Sequence, residues 1–380
     1  MEGRPPRNQL REVSGFFLRL GCTAFGGPAA HIALMEQEAV GRRQWLSHEA
    51  FLDLLGAVNL IPGPSSTQMA MNLGYLRAGW RGLVLGGVCF ILPASLITLA
   101  IAWGYVRFGR LPQVQGLLVG IKPVVLAIVF QALWNLGRTA FRTRALGLLG
   151  LLALGLCILG CHPLFVLLGA GALALLLLMA RDQPGQAGAA LGWAPLTLGA
   201  GSLPLVGLTG LFLFFLKLGA VLFGSGYVLL AFLKADLVDH WHWLTEAQLL
   251  DAVAVGQITP GPVFTTATFI GYLLRGFPGA ALATIGIFLP SFLFVGILGV
   301  VLPRLRKTRG AGAFLDGINA GALALMAQVT WGLGRTALVG PWTGLLAVGS
   351  CVLLLRTKVN PTWLILGGGL AGILLAGLPA

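Results

Sequence analysis

Long apolar runs alternate with short polar, mostly basic segments along the whole chain. Long runs without a charged side chain cover residues 82–106, 145–180 and 359–380, and a further run at 311–334 is interrupted once, by Asp316. A transmembrane helix needs about 20 apolar residues, so each run is long enough to span a bilayer. The pattern therefore predicts an all-α, polytopic membrane protein surrounded by the lipid bilayer.

Composition supports this class and explains the positive charge without nucleic acid. Of the 380 residues, 57% are hydrophobic and 10% are charged, whereas soluble domains carry about 25% charged residues. The net charge is +13, but the 25 Lys and Arg residues mostly lie between the apolar runs, as topology-determining residues do. We therefore expect no nucleic-acid partner, and the charge favours an anionic substrate only weakly.

The chain contains the same arrangement twice. Phe-Phe-Leu-Arg-Leu-Gly at 16–21 returns as Phe-Phe-Leu-Lys-Leu-Gly at 214–219, an offset of 214 − 16 = 198 positions. After a one-residue deletion the offset becomes 197, and Leu-Gly-Arg-Thr-Ala at 136–140 returns at 333–337. Because order and spacing agree, the sequence predicts two homologous halves.

Each half has the same order of segments. We place the halves at 10–180 and 207–380, with a linker rich in Gly, Pro, Ala and Gln at 181–206. A first apolar span is followed by a polar connection, then by a segment interrupted by Pro-Gly-Pro, and then by four apolar segments. This order predicts the same helical architecture in both halves.

The basic loops predict that the two halves have opposite orientations. The densest basic cluster of the second half lies at 304–309, whereas a strong cluster of the first half lies at 138–144, which is not an equivalent position. Both clusters reach the cytoplasmic side only if the halves are antiparallel, an inverted-topology repeat. Inversion requires an odd number of crossings per half. Either a re-entrant hairpin at each Pro-Gly-Pro, or a full crossing there plus a span near 185–206, satisfies this requirement.

The Pro-Gly-Pro sequences lie at equivalent positions, 62–64 and 260–262. Proline lacks an amide donor and its ring clashes with the preceding turn, so no helix continues through either sequence. The helix after each break begins with free N–H groups and a partial positive charge, which bind oxyanions. One break alone is typical of a kink whose hydroxyls bond back to the helix, but a matched pair indicates a binding site. The predicted substrate-binding residues at the breaks are Pro62, Gly63, Pro64, Ser65, Ser66, Thr67, Pro260, Gly261, Pro262, Thr265 and Thr266.

Two further matched pairs extend the predicted site. Phe-Gly-Gly-Pro at 25–28 is equivalent to Phe-Gly-Ser-Gly at 223–226, where small residues permit either close helix packing or local unwinding. A cation lies at equivalent positions in the first span of each half and would neutralise a divalent anion, unless it extends to the membrane surface. These pairs add Gly26, Gly27, Gly224, Ser225, Arg19 and Lys217 to the predicted substrate-binding residues.

Three carboxylates are candidates for ion coupling: Glu36, Asp53 and Asp251. Asp53 and Asp251 are equivalent, and each lies shortly before a Pro-Gly-Pro break. Acidic groups at membrane depth either pair with cations or carry protons. Lys122 and Asp316 have no charged counterpart in the other half and receive less weight.

No enzyme motif accompanies these features. The sequence lacks the Gly-x4-Gly-Lys-Ser/Thr loop of nucleotide-binding proteins, so we do not expect ATP hydrolysis. Cys157, Cys161 and His162 are close in sequence, but no second ligand pair matches them, and we predict no metal site. The expected protein is not an enzyme, has no cofactor, and draws its energy from an ion gradient or from exchange.

The ordered motifs of both halves resemble the long, two-domain form of the chromate ion transporter family. The resemblance covers nearly the whole chain and rests on order, spacing and duplication together. The first half carries the 25–28 motif with a following Glu36, Trp-Leu at 45–46, Asn-Leu-Ile-Pro-Gly-Pro at 59–64 and Gly-Tyr at 74–75. The second half carries Phe-Gly-Ser-Gly-Tyr at 223–227, Trp-Leu at 243–244, Gln-Ile-Thr-Pro-Gly-Pro at 257–262 and Gly-Tyr at 271–272.

The resemblance implies efflux of chromate across the bacterial cytoplasmic (inner) membrane, with sulfate as a structural analogue and with halves of opposite orientation. It therefore implies a secondary transporter that gives chromate resistance. A passive oxyanion channel, or a transporter of a different anion such as sulfate, is the alternative. We also allow for a homodimer.

Overall fold

The computed structural model of the chain describes residues 7–109, 111–141, 143–182, 207–223, 226–305, 309–357 and 359–376. The regular structure of these residues is helical, as predicted. Two predicted binding residues, Gly224 and Ser225, and most of the predicted linker, 183–206, lie outside the described residues.

Corresponding helices form in the two halves. Those of the first half are α1 (Arg7–Thr23), α2 (Gly27–Glu36), α3 (His48–Val58), α4 (Ser65–Phe108), α5 (Pro112–Ala140), α6 (Arg144–Ile158) and α7 (Pro163–Asp182). Those of the second half are α8 (Leu208–Val221), α9 (Leu229–Leu233), α10 (Glu246–Ile258), α11 (Thr266–Leu305), α12 (Arg309–Ala337), α13 (Pro341–Arg356) and α14 (Pro361–Ala376). π-Helical turns, Gln37–Arg42 and Lys234–His240, extend α2 and α9, and 3-10 turns, Gly226–Val228 and Val263–Thr265, precede α9 and α11.

Five described helical stretches are long and apolar enough to cross a membrane, which makes the chain a multi-pass membrane protein. They belong to α4, α5 and α7 in the first half and to α11 and α12 in the second. The stretches are Ser65–Phe108, Pro112–Arg138, Pro163–Ala180, Val263–Ile297 and Gly312–Ala337.

A sharp turn divides each of the two longest helices, α4 and α11, into two antiparallel limbs. In α4 the backbone leaves the helical region at Ala78 and Gly79, and in α11 it does so at Arg275 and Gly276. Gly79 has a φ of 61°, which glycine adopts without a steric penalty. The limbs lie so close that Gly74 has no room for a Cβ beside the backbone of the second limb. The first limb therefore folds back along the second.

Trp45 lies where the open ends of two helical hairpins of the first half meet. Glu12, in the second turn of α1, accepts a hydrogen bond from Trp45 Nε1 (3.1 Å), and the Phe16 ring in the middle of α1 lies 5.7 Å from the Trp45 ring, which follows α2 and its π-helical turn. The Arg77 guanidinium, at the end of the first limb of α4, lies 5.9 Å from the same ring. Since Trp45 also precedes α3, α1 and α2 form one hairpin, and α3 and the first limb of α4 form a second. The break at 62–64 is therefore the tip of a re-entrant hairpin and not the middle of a full crossing.

The second half repeats both hairpins. Phe214 of α8 lies 5.1 Å from Trp241, which follows the π-helical turn after α9. Tyr105 contacts both α10 and the first limb of α11, which form the second hairpin of this half. Its hydroxyl donates to Asp251 Oδ2 on α10 (2.9 Å), and its ring lies 5.2 Å from the Phe269 ring on α11. The break at 260–262 is thus a hairpin tip as well.

The second limbs of the equivalent helices α4 and α11 run in opposite directions. A Cβ added to Gly87 would lie 2.7 Å from the Phe292 ring, and one added to Gly296 would lie 2.8 Å from the Trp80 ring. Residue numbers therefore rise along α4 while they fall along the facing part of α11. Because both helices are membrane-spanning, the halves have opposite orientations, which confirms the inverted repeat predicted from the basic loops.

The halves are interlocked through small residues. Gly120 of α5 packs directly against the backbone of Gly368 in α14, and Gly317 of α12 packs against the backbone of Ala170 in α7. Small side chains permit this close approach, which drives helix association in lipid. The central helix of each half thus packs on the last helix of the other half.

Candidate functional site

The hairpin tips meet in two pairs, and each pair joins one half to the other. The Gly63 N–H donates to the Leu222 carbonyl oxygen (2.5 Å), and the Gly261 N–H donates to the Ala24 carbonyl oxygen (2.8 Å). Ala24 and Leu222 are themselves equivalent, at the offset of 198. We call the Gly63–Leu222 contact the first tip pair and the Gly261–Ala24 contact the second tip pair. The two sets of motifs singled out in the sequence, 25–28 and 62–64 with their repeats, therefore adjoin each other in space.

Both breaks need glycine. Gly63 and Gly261 have φ values of 117° and 86°, in the left-handed region. A Cβ on Gly63 would lie 2.5 Å from Ser291 Oγ, and a Cβ on Gly261 would lie 2.6 Å from Ala94 Cβ. Since Ser291 lies on α11 and Ala94 on α4, each tip packs against the long spanning helix of the opposite half.

Helices begin at the tips without side-chain caps. The N-cap residues of α2 and α4, Gly26 and Pro64, have no side-chain acceptor for the N–H groups of the first turn, and the same holds for Pro262 before Val263–Thr265. Uncapped first turns leave N–H donors unsatisfied and carry a partial positive charge. Gly27, at the start of α2, also has a left-handed φ of 77°. Each tip pair thus includes a helix N-terminus of the kind that binds oxyanions.

The hydroxyls that follow the two breaks have different partners. Thr265 Oγ1 donates to the Pro262 carbonyl (2.9 Å) and Thr266 Oγ1 to the Val263 carbonyl (2.8 Å), so both satisfy their own backbone. Thr67 is fully buried, and its Oγ1 has no hydrogen-bond partner among the described residues. Ser66 is buried beside it, and Ser65 is half-buried. The Thr67 hydroxyl after the first break is therefore an unused buried donor, whereas both threonine hydroxyls after the second break are satisfied.

Gln68 is a buried polar residue that the sequence analysis missed. Its Nε2 donates to the Pro62 carbonyl (2.6 Å) and lies 3.4 Å from Ser291 Oγ, while its Oε1 has no partner within the described part of the chain. The amide thus satisfies a carbonyl that the break leaves free. A buried amide one turn after a predicted break was a usable signal, but the second half has threonines at this point and the repeat did not mark it.

His31 supports the second tip pair. It is fully buried on α2, and its Nε2 lies 3.1 Å from the Ala24 carbonyl oxygen, which also accepts the Gly261 N–H. Its ring meets the Phe90 ring edge-on at 5.5 Å. The equivalent residue of the second half is Leu229, so the first tip pair has no imidazole in this place.

The two predicted cations, Arg19 and Lys217, have different surroundings. Lys217 Nζ lies 3.8 Å from Asp236 Oδ2, and His162 Nε2 lies 3.2 Å from the other oxygen of this buried carboxylate. Arg19 is exposed on α1, and it forms no ion pair with the residues that the structure describes. Both cations are exposed, but Lys217 lies beside the buried carboxylate of Asp236, whereas Arg19 has no such neighbour among the described residues.

The three candidate ion-coupling carboxylates are also separated. Glu36 Oε1 lies 2.7 Å from His48 Nδ1, and Asp53 is exposed on α3. Asp251 is buried on α10, with Lys122 Nζ of α5 3.1 Å from its Oδ1. Of the two equivalent aspartates, the second-half residue is the one placed inside the protein.

The Glu36–His48 pair returns in the second half with its charges exchanged. Lys234 and Glu246 occupy the equivalent positions, and Lys234 Nζ lies 2.9 Å from Glu246 Oε1. Glu246 Oε2 also accepts a hydrogen bond from Thr336 Oγ1 (2.5 Å). The bond from Thr336 and the contact with Lys234 lower the pKa of Glu246 below its usual value. This corner of each half thus pairs an acidic residue with a basic one, and their order along the chain is exchanged between the halves.

The hairpin tips are packed closed in this conformation. A cavity beside the second break, lined in part by Gln257, Val263 and Thr266, has room for about one water molecule. A tetrahedral oxyanion would need more space than this cavity offers. The described residues contain no group of three or more His, Cys, Asp or Glu side chains that could hold a metal ion.

Comparison with known proteins assigns the family. The family model described as "Chromate transporter" matches residues 11–175 and again residues 209–373, one match in each half. The chain is 34% identical to the chromate transport protein of Cupriavidus metallidurans, over 97% of this chain and 94% of that protein.

Two further relatives carry similar names. The probable chromate transport protein of Synechococcus elongatus is 33% identical over 88% of this chain and 86% of its own length. The chromate transport protein of Pseudomonas aeruginosa is 30% identical over 98% of this chain and 94% of its own length. No solved structure matches the chain. The duplicated family match and the full-length relatives agree with the inverted repeat and its paired breaks, and the chain belongs to the chromate transporter family.

Proposed function

We propose that this protein is a secondary transporter that exports chromate across the bacterial cytoplasmic membrane and so gives chromate resistance. Three full-length relatives with the chromate transport name support the substrate. The observation that carries the proposal is the pair of Pro-Gly-Pro tips, each hydrogen-bonded to the other half. Such paired helix breaks at a repeat interface are where secondary transporters bind their substrates.

In this proposal the oxyanion binds at the tip pairs, to helix N-termini and to hydroxyl groups. Uncapped N–H groups at the starts of α2 and α4 and the unpaired Thr67 hydroxyl are donors, which suit the four acceptor oxygens of a tetrahedral dianion. Arg19 and Lys217 would supply longer-range positive charge. Because each tip is bound to the opposite half, movement of one half against the other would open the site to each side in turn.

The chain carries no nucleotide-binding loop, so the driving force is an ion gradient or exchange against another anion. Sulfate has the same shape and charge as chromate and is the natural exchange partner to test. An exchanger returns across the membrane only with an anion bound. Sulfate on the opposite side supplies that anion and therefore accelerates chromate flux. A channel conducts without this coupling.

The decisive experiment measures radiolabelled chromate flux in proteoliposomes under imposed pH and sulfate gradients. We expect flux above protein-free vesicles, and acceleration by sulfate on the opposite side. Flux without acceleration would indicate a channel, and no flux would overturn the proposal. Chromate accumulation in cells with and without the gene is the companion measurement, and export predicts lower accumulation when the gene is present.

A further inference from the structure

A polar stripe follows the second limb of α4 away from the second tip pair. Ser95, Thr98 and Tyr105 are spaced at i, i+3 and i+10, which places them on one face of the helix. Ser95 directly follows Ala94, against which Gly261 of the second tip pair packs. At a helical rise of 1.5 Å per residue, the stripe extends about 15 Å from the tip.

The first two hydroxyls of the stripe are buried without partners. Ser95 is 8% exposed and Thr98 is 0% exposed, and neither hydroxyl has a hydrogen-bond partner among the described residues. A helical hydroxyl ordinarily donates to the carbonyl one turn back. Burying a polar group without such a bond costs stability. A ligand that accepts hydrogen bonds would recover that cost.

The stripe ends at a buried ion pair that joins the two halves. Tyr105 donates to Asp251 Oδ2 (2.9 Å), and Lys122 Nζ lies 3.1 Å from Asp251 Oδ1. Lys122 is 16% exposed and Asp251 5% exposed. Lys122 and Tyr105 belong to the first half, whereas Asp251 belongs to the second. Apart from Asp251, every side chain of this group can donate to an anion.

The second half has the same helix without the stripe. At the offset of 197, Ser95, Thr98 and Tyr105 correspond to apolar residues, and Lys122 corresponds to a neutral amide. The residues in question are Phe292, Val295, Leu302 and Asn319. An apolar sequence at these positions is therefore compatible with the fold, and the polar stripe is not needed to build the helix.

We propose that Lys122 is a substrate-binding residue on the transport path. In this inference, which rests on the proposed function, the Lys122 ammonium and the hydroxyls of Thr98 and Tyr105 bind the tetrahedral oxyanion after it leaves the second tip pair. Asp251 is the internal counter-ion that pairs with the Lys122 ammonium when no substrate is bound. An oxyanion that displaces Asp251 also breaks a contact between the halves, so occupancy of this site is linked to their relative movement.

The test measures sulfate binding to the purified full-length protein by titration calorimetry. Asp251→Asn frees Lys122, and we expect sulfate to bind several-fold more tightly. Lys122→Met removes the cation, and we expect binding to weaken about tenfold or more, as for loss of a charged hydrogen-bond partner. Asp316→Asn removes one exposed negative charge from α12 and serves as the matched control, with unchanged affinity expected.

A double variant, Lys122→Met with Asp251→Leu, separates binding from structural support. Replacing both members of a buried pair with apolar residues commonly preserves folding. We therefore expect a folded protein, judged by its elution and thermal midpoint, that neither binds sulfate tightly nor moves chromate. Wild-type sulfate affinity and chromate flux in this double variant would overturn the assignment of Lys122.

The two proposals fail in different ways. Wild-type proteoliposomes that move no chromate would overturn the proposed function, while the sulfate titrations would still judge Lys122. Chromate flux in the wild type together with normal flux in the double variant would overturn the Lys122 assignment and leave the proposed function intact. Unchanged sulfate affinity in Asp251→Asn would also count against the counter-ion role.

Discussion

The two Pro-Gly-Pro breaks share their backbone geometry but not their side-chain chemistry. Gly63 and Gly261 have left-handed φ values and donate to equivalent carbonyls of the opposite half. After the second break, Thr265 and Thr266 bond to their own backbone; after the first, Thr67 is left without a partner among the described residues. The buried Gln68 and His31 also belong to the first half.

This difference separates two roles that a duplicated motif can have. The left-handed glycine and its hydrogen bond to the opposite half are present at both breaks, because each tip needs a carbonyl of the other half to accept its N–H. Unsatisfied buried polar groups are costly and are not required by the fold. Among the described residues, Thr67 Oγ1 and Gln68 Oε1 lack partners just after the first break, and Gln257 Nε2 lacks one just before the second. We infer that the hydroxyls after the second break chiefly complete the architecture, whereas those after the first break carry more of the chemistry.

The largest effect is expected from removing a break altogether. Replacing 62–64 with three alanines allows α3 to continue into α4, so the hairpin tip and its bond to Leu222 are lost. We expect no chromate flux in proteoliposomes. The same replacement at 260–262 should be equally severe, because the geometry is shared. Wild-type flux in either variant would show that the tip is dispensable.

The next largest effect is expected at the equivalent cations. Alanine at Arg19 or Lys217 should lower the initial rate of chromate flux about tenfold, because each change removes a positive charge that attracts the dianion. Lys217→Ala should also lower the thermal midpoint, because Asp236 loses one of its two partners. Arg19→Ala should leave the midpoint unchanged. Lys217→Arg keeps the charge and serves as the control; normal flux in both alanine variants would refute their role.

The hydroxyl comparison is tested by one valine substitution in each half. Thr67→Val should reduce chromate flux about fivefold while stability stays unchanged, because a donor without a partner is removed. Thr265→Val should instead cost about 1 kcal/mol of unfolding free energy and change flux little, because it breaks a bond to Pro262. Flux measured beside thermal midpoints decides. The opposite pattern would reverse the assignment of roles to the two breaks.

The smallest effect concerns the corner where the charges are exchanged. The pKa of Glu246 is lowered in the folded protein, so its contribution is complete above the usual value of 4.5 and is lost as the pH falls through the lowered value. We expect the thermal midpoint of the wild type to fall below about pH 4.5 more steeply than that of Glu246→Gln. For a partly exposed pair the difference should be about 1 kcal/mol or less. If the thermal midpoints of the wild type and Glu246→Gln fell in parallel with pH, the stabilising role of the Glu246 carboxylate would be contradicted.

Much of the architecture could be predicted from the sequence because the sequence contains an internal repeat. The repeat located the halves and both breaks, and the unequal basic loops indicated inversion, which the antiparallel α4 and α11 confirm. Whether a break is a hairpin tip or a crossing could not be predicted. That choice depends on Trp45 meeting both Phe16 and Arg77, contacts between side chains far apart in the sequence.

The same reliance on the repeat hid part of the candidate site. Lys122 received little weight because its equivalent, Asn319, is uncharged. Its partner Asp251 lies in the opposite half, where a comparison of equivalent positions does not look for it. The spacing of Ser95, Thr98 and Tyr105 on one helix face was a readable signal that did not depend on the repeat.

The hydrogen bonds between the halves also make assembly of the protein depend on the order in which its segments are synthesised. The first tip is synthesised long before Leu222, the residue that accepts the Gly63 N–H, leaves the ribosome. Until the second half has entered the bilayer in the opposite sense, that donor faces an environment in which an unpaired amide is costly. The bond of the first tip therefore forms only after the second half is present.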